Sequence, residues 1–179
     1  VLYSGNMGLA QGLESVIKVA DILQKYPIDF KFIGSGVKRK ELITKTEKLG
    51  LNNVVFLPVQ KKEELIKLIK KASVCLVPLK NDPLFRNAIP SKMFEYMACG
   101  RPVIASISGE VEKILNSAKS GAIAMAEDAN SVADLVLYYY NNRGKIIEQG
   151  QNGVTYVKQN FRKEVLISRA MKKMRIAVN

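Results

Sequence analysis

The sequence predicts an α/β domain with a doubly wound, six-stranded parallel sheet, Rossmann-like, and extra C-terminal helices. Three observations carry this prediction. Short apolar runs alternate with longer stretches of helical apolar period along the whole chain. The runs end on Gly, Pro or Ser just before the next helix, as strands do in βαβ units. One run, Val74-Cys75-Leu76-Val77-Pro78, is apolar throughout, which suits a strand covered on both faces.

The elements follow in order. Val1-Leu2-Tyr3-Ser4 reads as the first strand, stopped by Gly5. Residues 12–26 read as a helix, because Leu13, Val16, Ile17, Ala20, Ile22 and Leu23 share one side. Residues 29–33 alternate as a strand and turn at Gly34-Ser35-Gly36; residues 38–49 form a helix with Gly50 at its C-terminal cap. A third strand, 53–57, ends at Pro58, and Leu65, Ile66, Leu68 and Ile69 point the helix 62–72 inward. The fourth strand is 74–78. A polar loop leads to Pro90, which opens a helix that runs to Cys99 and stops at Gly100. Strand 102–106, helix 109–117, strand 122–125 and helix 130–140, capped by residues 128–131, complete the alternation. Two consecutive helices, 145–159 and 162–176, close the chain, and the parallel crossovers are expected to be right-handed.

Composition narrows the function. The 179 residues suffice for one domain with its own core. The chain holds no His, which removes Ser-His-Asp and Cys-His catalysis and His-based zinc sites. Cys75 and Cys99 lack metal or redox spacing and read as reduced, buried thiols of a cytosolic protein. A chain that starts on Val inside a strand is expected to be a fragment cut just before a domain, a processed terminus being the alternative. The net charge of +12 attracts polyanions, or describes a lysine-rich solvated surface. The basic residues are scattered without interleaved aromatics, so nucleic acid is not the expected partner.

Ligands of open parallel sheets bind beyond the carboxyl ends of the strands. Five loops lie there: 5–11, 34–39, 58–61, 79–92 and 106–110. Gly5, Gly8 and Gly12 permit close backbone approach before a helix N-terminus, or serve only a turn. Gly34 and Gly36 with Lys38, Arg39 and Lys40 offer N–H groups and cations, or a solvated face; the cations oppose the helix dipole, a cost that a phosphate offsets. The richest segment is 89–105. Pro90 frees a helix start, Ser91 brings a hydroxyl and an N–H, and Lys92 brings a charge, a set able to hold a diphosphate. Glu95 lies one turn deeper, where a carboxylate can accept both hydroxyls of a ribose. Its depth predicts a half-buried charge, unless Lys92 or Arg101 pairs with it.

The run 89–105, with Ser108-Gly109-Glu110 and Ser120-Gly121 behind it, resembles retaining glycosyltransferases of family 4, which have the GT-B fold. The resemblance spans nearly the whole chain and only that family's C-terminal, donor-binding domain, with Ser4-Gly5-Asn6-Met7-Gly8, Phe32-Ile33-Gly34-Ser35-Gly36 and Val54-Val55-Phe56-Leu57-Pro58 at corresponding motifs. Pro90-Ser91-Lys92 is similar to bacterial members that build surface polysaccharides, N-acetyl-fucosamine transferases among them. The resemblance implies that Glu95 binds the nucleotide ribose, that Ser91 and Lys92 meet the diphosphate, that 34–38 lies beside base and ribose, and that Val59 presents its backbone to uracil. It implies a single domain over 1–179, with an N-terminal acceptor domain outside this chain, a nucleotide-diphosphate sugar as partner, and no metal or other cofactor.

Three departures stand out. The family's first motif glutamate falls at Asn87, and its phosphate-binding Arg and Lys fall at Asn6 and Gln11. Arg86, Lys92 or Lys38 are the candidate replacements for the lost cations, and Asn87 is a candidate at the donor sugar. A sugar-nucleotide 2-epimerase shares the architecture but usually relies on His; a non-catalytic nucleotide-binding domain is the other rival. Lys163, Arg169, Lys172, Lys173 and Arg175 oppose Leu166, Ile167, Met171 and Met174 on the last helix, which either packs on the core or lies on the anionic inner face of a membrane, near a lipid-linked acceptor.

Overall fold

The computed structural model describes residues 1–85, 87–107, 109–162, 165 and 171. Six strands are present: β1 (Leu2–Ser4), β2 (Phe30–Ile33), β3 (Val54–Leu57), β4 (Cys75–Pro78), β5 (Val103–Ser106) and β6 (Gly121–Ile123). All neighbours are parallel, in the order β3-β2-β1-β4-β5-β6. The order reverses direction between β1 and β4, which places a switch point at the centre of the sheet. Across it the strands share a single registered pair, Leu2 with Cys75.

Alternation along the strands feeds two cores. Tyr3, Phe30, Phe32, Leu76 and Ile104 face one side, under α1 (Leu13–Ile22), α2 (Arg39–Lys48) and α6 (Ala129–Asn141). Leu2, Ile33, Cys75, Val77, Val103 and Ala105 face the other, under α3 (Lys62–Lys71), α4 (Ser91–Ala98) and α5 (Glu110–Ala118). The last described helix, α7 (Arg143–Asn160), returns across α4, and Phe161 beyond it sets its ring 4.2 Å from that of Phe94.

Several boundaries differ from the sequence reading, three of them for local reasons. The first helix ends at Ile22 rather than at Tyr26: Leu23 leaves the helical path at ψ 10°, and the chain turns there, with Gln24 N–H on the Asp21 carbonyl and Tyr26 N–H on the Leu23 carbonyl. It also starts late: a 3-10 turn, Leu9–Gln11, precedes it, and Gly12 at φ 57° breaks the path between them. The sixth strand starts at Gly121 rather than Ala122, since a Cβ at Gly121 would stand 2.0 Å from the Val103 carbonyl oxygen and only glycine fits there. Of the predicted terminal helix 162–176, residues 163, 164, 166–170 and 172–176 lie outside the described residues, with all its singled-out side chains except Met171, which is exposed.

Candidate functional site

Two loops are laced together above β1 and β2. Gly5 N–H donates to the Ile33 carbonyl at 2.9 Å, Met7 N–H to Ser35 at 2.7 Å, and Lys38 N–H to Met7 at 2.9 Å. Glycine is obligatory at the crossing. Gly34 sits at φ 136°, and a Cβ there would lie 2.1 Å from the Gly5 carbonyl oxygen.

The lacing changes what the first loop offers. The N–H groups of Gly5 and Met7 are spent on the second loop, and that of Gly8 goes to the Gln11 Oε1 at 3.0 Å. Only Asn6 N–H among Gly5–Gly8 donates to no described residue, so this stretch is largely a structural clasp rather than an amide cradle. The second loop keeps its donors: Ser35, Gly36 and Val37 N–H groups donate to none of the described residues. The Gln11 and Asn6 amides both flank Gly8, within 2.8 Å of the position a Cβ would take there.

Helix α4 starts at the switch point. Pro90 caps it in extended conformation, and the first-turn N–H groups of Ser91 and Lys92 have no acceptor among the described residues. Its place is set by Tyr96, a fully buried residue that periodicity alone reads as one more apolar side chain. The Tyr96 hydroxyl accepts from Ser4 N–H at 2.8 Å and lies 3.0 Å from Ser4 Oγ, at the point where β1 and β4 have parted. Burial pushes its phenol well above the ordinary tyrosine range. Tyr96→Phe would strand the buried Ser4 N–H, so a loss of about 1–3 kcal/mol is expected in urea denaturation.

Lys92 leans from α4 towards the clasp. Its Nζ lies 2.9 Å from the Tyr3 hydroxyl and 4.1 Å from the Tyr3 ring centroid, and a Cβ on Gly5 would stand 2.9 Å from it. Burial lowers its pKa from the usual 10.5 to about 8, with the nearby Glu95 charge opposing that shift. The structure thus brings Gly5, Ser91 and Lys92 together, with Gly34 and Gly36 beside them.

Other candidates fare differently. Lys38 is already matched by Glu14, at 3.2 Å, and by Glu41, at 2.7 Å. These carboxylates hold its pKa above the usual lysine value and remove it as a free counter-charge. Glu95 is exposed, which corrects the expected half-buried charge, and it forms no ion pair with Lys92, Arg101 or any other described residue. The reason is its angular place: Met93, Tyr96 and Met97 define the buried stripe of α4, and Glu95 lies off it. Asn87 and Val59 are exposed on the same rim, and Arg86 lies outside the described residues, as does Ser108. A cavity of about 240 Å³ lies at the opposite end of the sheet, lined by Val1, Asp29, Lys31, Lys71 and Arg143 among others, away from all these loops. No cluster of three or more metal-ligating side chains occurs among the described residues.

Comparison with known proteins adds the following. Residues 1–156 match the family described as Glycosyl transferases group 1. The chain is similar to the putative colanic acid biosynthesis glycosyl transferase WcaI of Escherichia coli K12, with 32% identity over 136 residues, covering 76% of this chain and 33% of that protein. It therefore spans about a third of the length of that relative. Among solved structures, the C-terminal domain of the glycosyl transferase group 1 family protein LpcC from Francisella tularensis superposes with a TM-score of 0.73 at 20% identity, covering 90% of this chain and 86% of that one. HepE of Anabaena in complex with UDP-glucose superposes with a TM-score of 0.79 at 16% identity, covering 99% of this chain and 49% of that one. The six-stranded Rossmann-like sheet is that of the GT-B glycosyltransferases. With the family matched over all six strands and six of the seven described helices in full, this chain belongs to the Glycosyl transferases group 1 family.

Proposed function

We propose that the chain is the donor-binding half of a two-domain retaining glycosyltransferase. It holds a nucleotide-diphosphate sugar, UDP-linked and N-acetylated, for transfer to a polysaccharide or lipid-linked acceptor. One observation carries the reading: the free N–H groups of Ser91 and Lys92 and the Lys92 ammonium converge at the switch point of the sheet. That is a cationic helix end able to meet a leaving diphosphate, and it needs no metal. Glu95, exposed one turn further along, is free to accept the ribose hydroxyls. The free N–H groups of 35–37 and the Val59 backbone border the base, and Asn87 borders the sugar.

The UDP-glucose bound by HepE supports a uridine nucleotide, and the colanic acid role in the name of WcaI supports a polysaccharide product. The length relation to WcaI and the likeness to the LpcC C-terminal domain support a second domain that brings the acceptor-side groups. Residues 1–179 alone should therefore bind donor weakly and transfer nothing. The expected working place is the cytoplasm, and the net charge of +12 would favour a peripheral contact with the anionic inner face of a membrane.

Calorimetry of the full chain with UDP, GDP and pyrophosphate tests the assignment. Glu95→Ala should weaken UDP at least tenfold and leave pyrophosphate unchanged, since only the former carries a ribose. Equal UDP affinity in both proteins would remove Glu95 from the site.

A further inference from the structure

We propose that Tyr3 is a positioning residue for Lys92: its ring and hydroxyl hold the ammonium over the Gly5 turn before the anionic ligand arrives. The proposal rests on the donor-site reading above. A lysine head on a four-carbon stem is mobile by default, and here two contacts restrict it. The ring of Tyr3 lies 4.1 Å beneath the ammonium, within cation–π range. Its hydroxyl oxygen accepts from Nζ at 2.9 Å, while its proton is given to the Asn6 carbonyl. The hydroxyl is therefore oriented, with a lone pair left for Lys92.

Tyr3 itself has no freedom to drift. It is 1% exposed, its ring sits 6.1 Å from Phe32, and Phe32 stacks 5.0 Å from Phe56, so a row of three rings crosses β1, β2 and β3. The charge on Lys92 is left uncancelled. An ammonium has three N–H donors; one goes to Tyr3, and the others meet no acceptor among the described residues. They are available to phosphate oxygens. A core role alone would be met by phenylalanine, and it would not call for a hydroxyl that bridges the clasp loop and the helix start.

A double-mutant cycle in the full-length protein that joins this domain to its acceptor domain, read by UDP calorimetry and donor kinetics, decides the matter. Tyr3→Phe keeps the ring and should weaken UDP about fivefold, raising the donor KM with kcat little changed. In a Lys92→Met background the same change should have no further effect. Equal losses in both backgrounds mean that Tyr3 does not act through Lys92 and overturn the proposal. If Lys92→Met leaves UDP binding unaltered, or the full-length protein binds neither UDP nor GDP, the donor-site reading falls first and this proposal with it. Should Tyr3→Phe not fold, NMR relaxation of the Lys92 ε-methylene in the ligand-free wild type replaces it: restricted motion supports the proposal, free rotation overturns it.

Discussion

Lys92→Met is expected to raise the melting temperature and weaken nucleotide binding together. Burial brings the Lys92 pKa from 10.5 down to about 8, which places the cost of keeping that cation in the fold at roughly 3 kcal/mol. Methionine keeps the length of the stem without the charge. For a domain of this size a gain of that order reads as about 5–10 °C in thermal denaturation. On the proposed donor-site reading, the same change removes a charge-assisted contact to the diphosphate, so UDP affinity should drop roughly ten- to hundredfold in calorimetry. Opposite signs in the two measurements mark a residue retained for binding rather than for stability. A fall in both would make Lys92 a structural side chain.

The same amine sets a pH signature. The unfolded lysine titrates near 10.5 and the folded one near 8, so between those values the unfolded chain holds more protons. Stability should rise with pH across that window, and below pH 8 the full penalty is present. Binding runs the other way. A diphosphate favours the charged amine, so above pH 8 binding takes up a proton and UDP affinity falls, by up to tenfold per pH unit. Lys92→Met should lose both slopes in the alkaline range.

The second large effect is expected at Gly34→Ala. The new Cβ would stand 2.1 Å from the Gly5 carbonyl oxygen, a backbone atom that cannot swing aside, and alanine is strained at φ 136°. Overpacking and strain together should cost about 3 kcal/mol or more. The clasp between the two loops would open, so UDP affinity should fall even at temperatures where the protein stays folded. Denaturation and calorimetry on one sample check both.

Much of the fold was legible because the strands are short apolar runs with hard stops. The run 29–33 became Phe30–Ile33, and 74–78 became Cys75–Pro78. Pro90 and Gly100 marked the ends of the helix Ser91–Ala98 for steric reasons that hold in any context. The candidate site was legible in its geometry only where one element carries it, as with the helix start at Ser91 and Lys92. The part of Tyr96 was hidden, because its hydroxyl meets Ser4, 92 positions away, and in a periodicity it counts as one more apolar residue. The ion pairs of Lys38 were hidden for a similar reason. Glu41 lies one turn on, but the Glu14 that completes its neutralisation comes from another helix. The exposure of Glu95 was readable after all, from the spacing of Met93, Tyr96 and Met97.

Where β1 and β4 part, the sheet is floored by a buried phenol oxygen, not a peptide rung. Peptide rungs are alike whatever the sequence, so a fully paired sheet could be altered there only by reshaping its backbone. A side-chain floor is open to change by a single codon. A substitution at position 96 thus changes the packing and polarity beneath the switch point while the strands around it stay fixed.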